Sequence, residues 1–142
     1  MTVATLNSQS EETAFALRGA LLAGLRSEGQ SPAPIIQEIE ALRWNHNVDG
    51  YLFRPEWHAS LTAKIYIRAI YPFVDPNLPQ PEADSDGSGG IEIQWRRGRR
   101  TVILSCRAKL NQRDFIYIQD GRHNTVDASP LNLKECLNWL MS

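Results

Sequence analysis

The chain is poor in cysteine, in long apolar runs and in catalytic signatures, and each shortage removes a class of protein. Its 142 residues include two cysteines, Cys106 and Cys136, too few and too far apart for a disulfide framework or a paired-thiol metal site. Both stand among apolar neighbours, which reads as buried free thiols and fits a reducing cytosol. The apolar stretch 14–25 is broken by Arg18 and is too short to span a bilayer. No basic n-region of a signal peptide precedes it. A cytoplasmic location away from membranes is therefore expected.

Catalytic patterns are equally scarce. No Gly-x-Ser-x-Gly elbow is present. His46, His58 and His123 lack the spacing of metal ligands. Cys106 could form a dyad with His58 or His123 only if it were an accessible thiolate. Its place on the apolar side of a strand predicts an inert, buried thiol instead. Asp49, Asp84 and Asp86 fall in turn-rich segments. The last two resemble the start of a calcium loop, but the glutamate such a loop carries at its twelfth position is missing. Gly87, Gly89 and Gly90 precede a strand, whereas a phosphate cradle needs glycines between a strand and a helix. The expectation is a non-enzymatic protein with no catalytic residue, metal ligand or cofactor.

What is present is an ordinary globular composition, 42% hydrophobic and 22% charged, with a net charge of −1. The charge is unevenly spread. Residues 1–90 carry six Lys and Arg against eleven Asp and Glu, and residues 91–142 carry nine against five. Either the two halves attract one another or the basic half meets an acidic partner.

Residues 1–9 read as a flexible tail and 10–142 as one domain. Ser10, followed by Glu11 and Glu12, has the form of a helix start, and Ala14, Leu17, Leu21 and Leu25 recur at helical spacing up to Gly29. Ser31 and Pro32 open a second helix with Ile35, Ile39 and Leu42 inward. Asn45, Asn47, Asp49 and Gly50 mark a turn-rich loop, which Trp44 and Tyr51 would pin to the core. A third helix is predicted over about 54–72, with Trp57, Leu61, Ile65 and Ala69 inward, Ile70 and Phe73 alongside, and Pro72 and Pro76 ending it. Residues 76–90, rich in Pro, Gly, Ser and Asp, read as a flexible internal connector.

The segment 89–106 carries the clearest fold signal. Apolar residues alternate on both sides of a glycine-containing turn, so 91–95 and 101–106 read as a β-hairpin. Pairing Trp95 with Arg100 would place Ile93 opposite Val102 and Ile91 opposite Leu104. One face is then apolar. The other shows Glu92, Gln94, Thr101, Ile103 and Ser105, joined by Phe115 and Tyr117 if a third strand at 115–119 turns Ile116 and Ile118 inward. Ser129 and Pro130 open a last helix with Leu133, Leu137 and Leu140 inward. The predicted fold is α+β: three N-terminal helices, a three-stranded antiparallel sheet and a C-terminal helix, with the helices packed on one sheet face.

Asn47, Val48, Asp49, Gly50 and Tyr51 after a tryptophan, then a helix, a Pro-rich link, Gly89 and Gly90 leading into Trp95, and a short helix ending near Trp139 together form a pattern. Over residues 40–141 it resembles a family of small, uncharacterised bacterial proteins with a Trp/Asp-Gly-Tyr loop and an Asp-Gly-Gly-Ile-x-x-x-Trp hairpin. This chain departs from that pattern. His46 and Asn47 lengthen the loop, Ser88 splits the acidic-Gly pair from Gly89 and Gly90, and Gln94 replaces the usual acidic residue before Trp95. The resemblance implies a bacterial cytosolic protein, of the accessory or antitoxin-like kind found in two-gene defence modules. It assigns no functional residue.

Two binding surfaces follow from the residues themselves. Ile103, Phe115 and Tyr117 on a half-polar sheet face suit a protein partner, such as the product of an adjacent gene. Arg96, Arg97, Arg99 and Arg100 at the hairpin tip could instead fork onto phosphates, with Phe115 and Tyr117 stacking on bases. A near-neutral chain of pI ≈ 6.3 lacks the basic balance usual in nucleic-acid domains, so a non-enzymatic protein-interaction module is the first expectation and a nucleic-acid binder the alternative.

Overall fold

A computed structural model describes residues 30–43 and 55–142. The expected tail, the first helix and the Trp44–Tyr51 loop lie outside the described residues. Within them the chain forms α1 (Ala33–Leu42), α2 (Trp57–Ile70), a short 3₁₀ turn (Tyr71–Phe73), five strands, and α3 (Pro130–Met141). The strands are β1 (Glu82–Ser85), β2 (Ile91–Arg97), β3 (Arg100–Cys106), β4 (Phe115–Asp120) and β5 (Arg122–Asp127). They pair antiparallel in the order β1-β2-β3-β4-β5, an up-and-down meander.

The α+β class and the antiparallel sheet agree with the expectation, but the sheet has five strands rather than three. The two additional strands are the edges. β1 is Glu-Ala-Asp-Ser and β5 is Arg-His-Asn-Thr-Val-Asp. Neither shows the β-branched alternation by which a strand announces itself. Each is held by its ladder to one neighbour, so backbone pairing rather than side-chain burial makes it a strand. β1 lies inside the segment expected to be a loose connector.

The hairpin exists but slides by two residues from the expected register. Arg97 faces Arg100, Trp95 faces Val102, Ile93 faces Leu104 and Ile91 faces Cys106. The loop is therefore two residues, Gly98 and Arg99, with Gly98 at φ 61°. A positive φ at the first central position is what the tight hairpin turns require. An even slide leaves every side chain on its expected face. Ile91, Ile93, Trp95, Val102, Leu104 and Ile116 are all fully buried on the helical side. Gly90 starts this ribbon because there is no room for a side chain. A Cβ there would stand 2.6 Å from the Cys106 carbonyl oxygen and closer still to the Asp86 carboxylate.

All three helices cover one sheet face, α1 along β1 and α2, and α2 and α3 over β2 and β3. In α1, the Ser31 hydroxyl accepts from Ala33 N–H at 3.1 Å, and Ile35, Ile36 and Ile39 are buried. In α3, Ser129 Oγ accepts from Asn132 N–H at 3.0 Å with Pro130 following, the expected cap.

α2 runs as predicted but is rotated. Its buried residues are Ala59, Ser60, Ala63, Ile67 and Ile70; of the expected positions Ile70 is buried, whereas Trp57, Leu61, Ile65 and Ala69 are exposed, as is Phe73 beyond the helix. Both stripes recur at helical spacing. The small side chains of Ala59, Ser60 and Ala63 let the helix approach the sheet, where Trp95 already fills the space, and that decides the orientation. Tyr71 and Trp95 bring two buried polar atoms, Oη and Nε1, into the same core, where the indole N–H interacts with the Tyr71 hydroxyl.

Candidate functional site: the open sheet face and the arginine tip

The sheet face away from the helices is built by the alternate residues of all five strands. Cross-strand pairing sets them in rows. Glu82, Gln94, Ile103, Tyr117 and Thr125 form one, and Asp84, Glu92, Ser105, Phe115 and Asp127 form the next. A third runs Arg96, Thr101, Gln119, His123. Among the described residues no helix packs on this face. Ile103, Phe115 and Tyr117 are half-buried there. Tyr117 stacks on His123 with ring centres 5.5 Å apart, and the Arg107 guanidinium lies 5.6 Å from the centre of the Phe115 ring. Thus Ile103, Phe115 and Tyr117 do converge in one patch, and His123 and Arg107 join it. Sequence spacing gave no sign of His123, because β5 carries no apolar alternation to reveal its register.

The four tip arginines separate into two pairs. Arg96 lies on the open face and Arg99 in the turn, both exposed. Arg97 and Arg100 point to the helical side and hold the end of α3. Arg97 Nη1 donates to the Leu140 carbonyl at 3.1 Å. Arg100 Nη1 donates to the Trp139 carbonyl at 2.7 Å and to Ser142 O and Oγ at 3.2 and 2.9 Å. Its Nε meets Asp120 Oδ2 at 3.3 Å, and its guanidinium lies 4.8 Å from the centre of the Trp139 ring. Unsatisfied carbonyls and the negative end of the helix dipole make a helix C-terminus a natural seat for such cations. Two of the four charges are therefore engaged by the fold.

At the loop end of the open face a groove of about 540 Å³ is lined by Asp86, Glu92, Ser105, Arg107, Lys109 and Phe115, among others. Asp86 is committed to its own loop, its Oδ1 accepting from Ser88 and Gly90 N–H at 2.7 and 2.9 Å. Partial burial, and then the Asp86 and Asp84 carboxylates, raise the pKa of Glu92.

Of the sequence-level pairings for chemistry, Cys106 and His123 are not brought together. Cys106 is on the helical side of the sheet and His123 on the other. Burial, and secondarily Asp114, push the Cys106 thiol far above its ordinary value. Cys136 is raised by burial and by Glu135. Among the described residues no three His, Cys, Asp or Glu side chains converge as metal ligands, and no helix is long and apolar enough to cross a membrane.

The sheet's outer edge is also partly closed. Asn124 Oδ1 accepts from Thr125 N–H, and Asn132 Nδ2 donates to the Asp127 carbonyl, both at 2.9 Å. Two backbone groups of β5, the Thr125 N–H and the Asp127 carbonyl, thus have side-chain partners. No protein-family model, curated protein or solved structure matches this chain.

Proposed function

We propose that this chain is a non-enzymatic protein-interaction module that receives its partner on the open sheet face. The observation that carries this reading is the patch of Ile103, Phe115 and Tyr117, with His123 and Arg107 against its rings, on a face that no described helix covers. An apolar centre with aromatic and arginine side chains and a polar surround is the usual anatomy of a protein contact. Glu82, Asp84 and Glu92 lie on the β1–β2 side, Arg96 at the hairpin tip and Arg107 at the opposite, loop end beside Glu92, an arrangement that favours a partner of mixed charge. The product of an adjacent gene, in an accessory or antitoxin-like pairing, is the first partner to test.

A photo-crosslinking residue placed at Ile103 or Tyr117, with the neighbouring gene product co-expressed, should give a specific adduct. The same residue at exposed Gln37 on α1 should not. Ile103→Asp or Tyr117→Asp should weaken that complex at least about tenfold. Equal adducts from Gln37, or none from the sheet face, would remove the reading.

A nucleic-acid reading keeps one specific support, the stackable Phe115 and Tyr117 rings flanked by Arg96, Arg99 and Arg107. With Arg97 and Arg100 held by α3, it predicts that replacing Arg96 and Arg99 together flattens the log–log salt slope of binding by about 2. Replacing Arg97 and Arg100 would act through stability instead.

A further inference from the structure

The groove at the loop end of the open face has lining charges of both signs. Asp86 and Glu92 come from the β1–β2 side, and Arg107 and Lys109 from the β3–β4 side. None of the four takes part in an ion pair, those among the described residues being Lys64–Glu40, Arg100–Asp120 and Arg113–Asp127. The Arg107 guanidinium lies over the Phe115 ring rather than on a carboxylate.

The floor of the groove is Ser105. It stands between Glu92 on β2 and Phe115 on β4. Those two flanking strands are about 10 Å apart, and a short side chain between two longer ones leaves a slot. Ser105 is only 2% exposed and lines the groove, yet its hydroxyl makes no hydrogen bond to any described residue. Polar groups on residues so deeply buried normally have a partner. A hydroxyl left open at the base of a cleft therefore marks a place for a polar atom from outside. Both rims are braced by their own backbone. Asp86 Oδ1 accepts from Ser88 and Gly90 N–H, while Arg107 N–H donates to Asp114 Oδ1 at 2.8 Å and Lys109 N–H to Gln112 Oε1 at 3.2 Å. Loops tied in this way lose little freedom when a ligand arrives.

We propose that this groove binds a small zwitterion, a free α-amino acid, with its carboxylate on Arg107 and Lys109, its ammonium on Glu92 and Asp86, and the Ser105 hydroxyl beneath it. The charges select this class. A plain anion drawn to Arg107 and Lys109 would be repelled by the two carboxylates, and a plain cation drawn to those carboxylates would be repelled by the two basic groups. Only a ligand carrying both signs close together is favoured by both sets. The groove volume is that of a small-molecule site. Ala108 and Phe115 supply its apolar lining, so an apolar amino-acid side chain fits best. Although Phe115 also belongs to the proposed partner patch, this binding requires no partner protein.

Titration of free apolar L-amino acids into the full chain, followed by two-dimensional amide NMR, should give saturable shifts at Glu92, Ser105 and Ala108. At least one should half-saturate at about 1 mM or below. Its N-acetyl form, which lacks the ammonium, and its amide, which lacks the carboxylate, should each bind at least about tenfold more weakly. Glu92→Gln and Arg107→Gln should each weaken binding about fivefold or more. Ser105→Val, which fills the slot, should abolish it, and Gln37→Glu on α1 should leave it unchanged. Amide signals away from the groove check that each variant is folded. No saturable shift from any amino acid would overturn the proposal. Equal binding of the N-acetyl form or of the amide would overturn it too, by revealing a plain anion site or a plain cation site. Because every titration uses the chain alone, its outcome is separate from that of the crosslinking test of the sheet face.

Discussion

Arg96, Arg97, Arg99 and Arg100 look equivalent in the sequence, and the structure gives them two different tasks. Parity along the strands decides which. Arg97 and Arg100 share a face with Trp95 and Val102, so their side chains meet the end of α3, while Arg96 shares a face with Gln94 and turns to solvent. Alanine substitution should separate them. Arg100→Ala loses charge-assisted bonds to the Trp139 carbonyl and Ser142 together with the Trp139 ring contact, and should cost about 1.5–3 kcal/mol. Arg97→Ala, with one carbonyl bond, should cost about 0.5–1.5 kcal/mol. Arg96→Ala and Arg99→Ala should fall within about 0.5 kcal/mol of the parent. Urea unfolding of the four variants checks the order. The exposed pair Arg113–Asp127, at 3.1 Å, belongs with the second group, since solvent screening leaves such pairs little net worth.

At the scale of elements, turns and small residues settle more than hydrophobicity does. The β2–β3 ribbon depends on two glycines for different reasons. Gly98 holds φ 61° in a two-residue turn, whereas Gly90 is excluded from carrying a side chain by the Cys106 carbonyl and the Asp86 carboxylate. Gly98→Ala should cost about 1–2 kcal/mol as left-handed backbone strain, with little change in structure. Gly90→Ala meets backbone as well as side chain, so it should cost about 1–3 kcal/mol and shift the β1–β2 loop and the amide signals around Cys106 in an NMR spectrum. Thermal melts and those spectra check both. α2 teaches the complementary point. Its helical extent was legible from periodicity, but its orientation was not, because two apolar stripes compete on one helix. Side-chain size chose between them: Ala59 and Ala63 fit against the sheet, and Trp57 does not. β1 and β5 were illegible for another reason, their residues being polar and their strand character coming from a neighbour's hydrogen bonds.

For the whole molecule, three helices on one side of a five-stranded meander leave the other sheet face open among the described residues. This arrangement also creates a pH dependence. Glu92 sits half-buried on the open face beside Asp84 and Asp86, with its pKa raised. Between the ordinary glutamate value and the raised native one, the folded chain holds the proton more tightly than the unfolded chain does. Increasing pH through that interval therefore favours unfolding. The contribution of Glu92 to stability should fall across the interval, and Glu92→Gln should remove that fall and leave the variant more stable than the parent at neutral pH. The difference in urea midpoint between variant and parent, followed from about pH 4 to about pH 8, measures it. A basic partner group docking beside Glu92 would reverse the penalty. The amino-acid sequence by itself determined the α+β class, the cap at Ser129, the two-sided character of the hairpin and the burial of Cys106, because each follows from local spacing and from which atoms avoid water. Only the tertiary structure decided that two arginines serve α3, that α2 turns its large residues outward and that polar edge strands complete the sheet. Those outcomes depend on which bodies are close enough to fill, cap or pair with one another, and such proximity is not written along the chain.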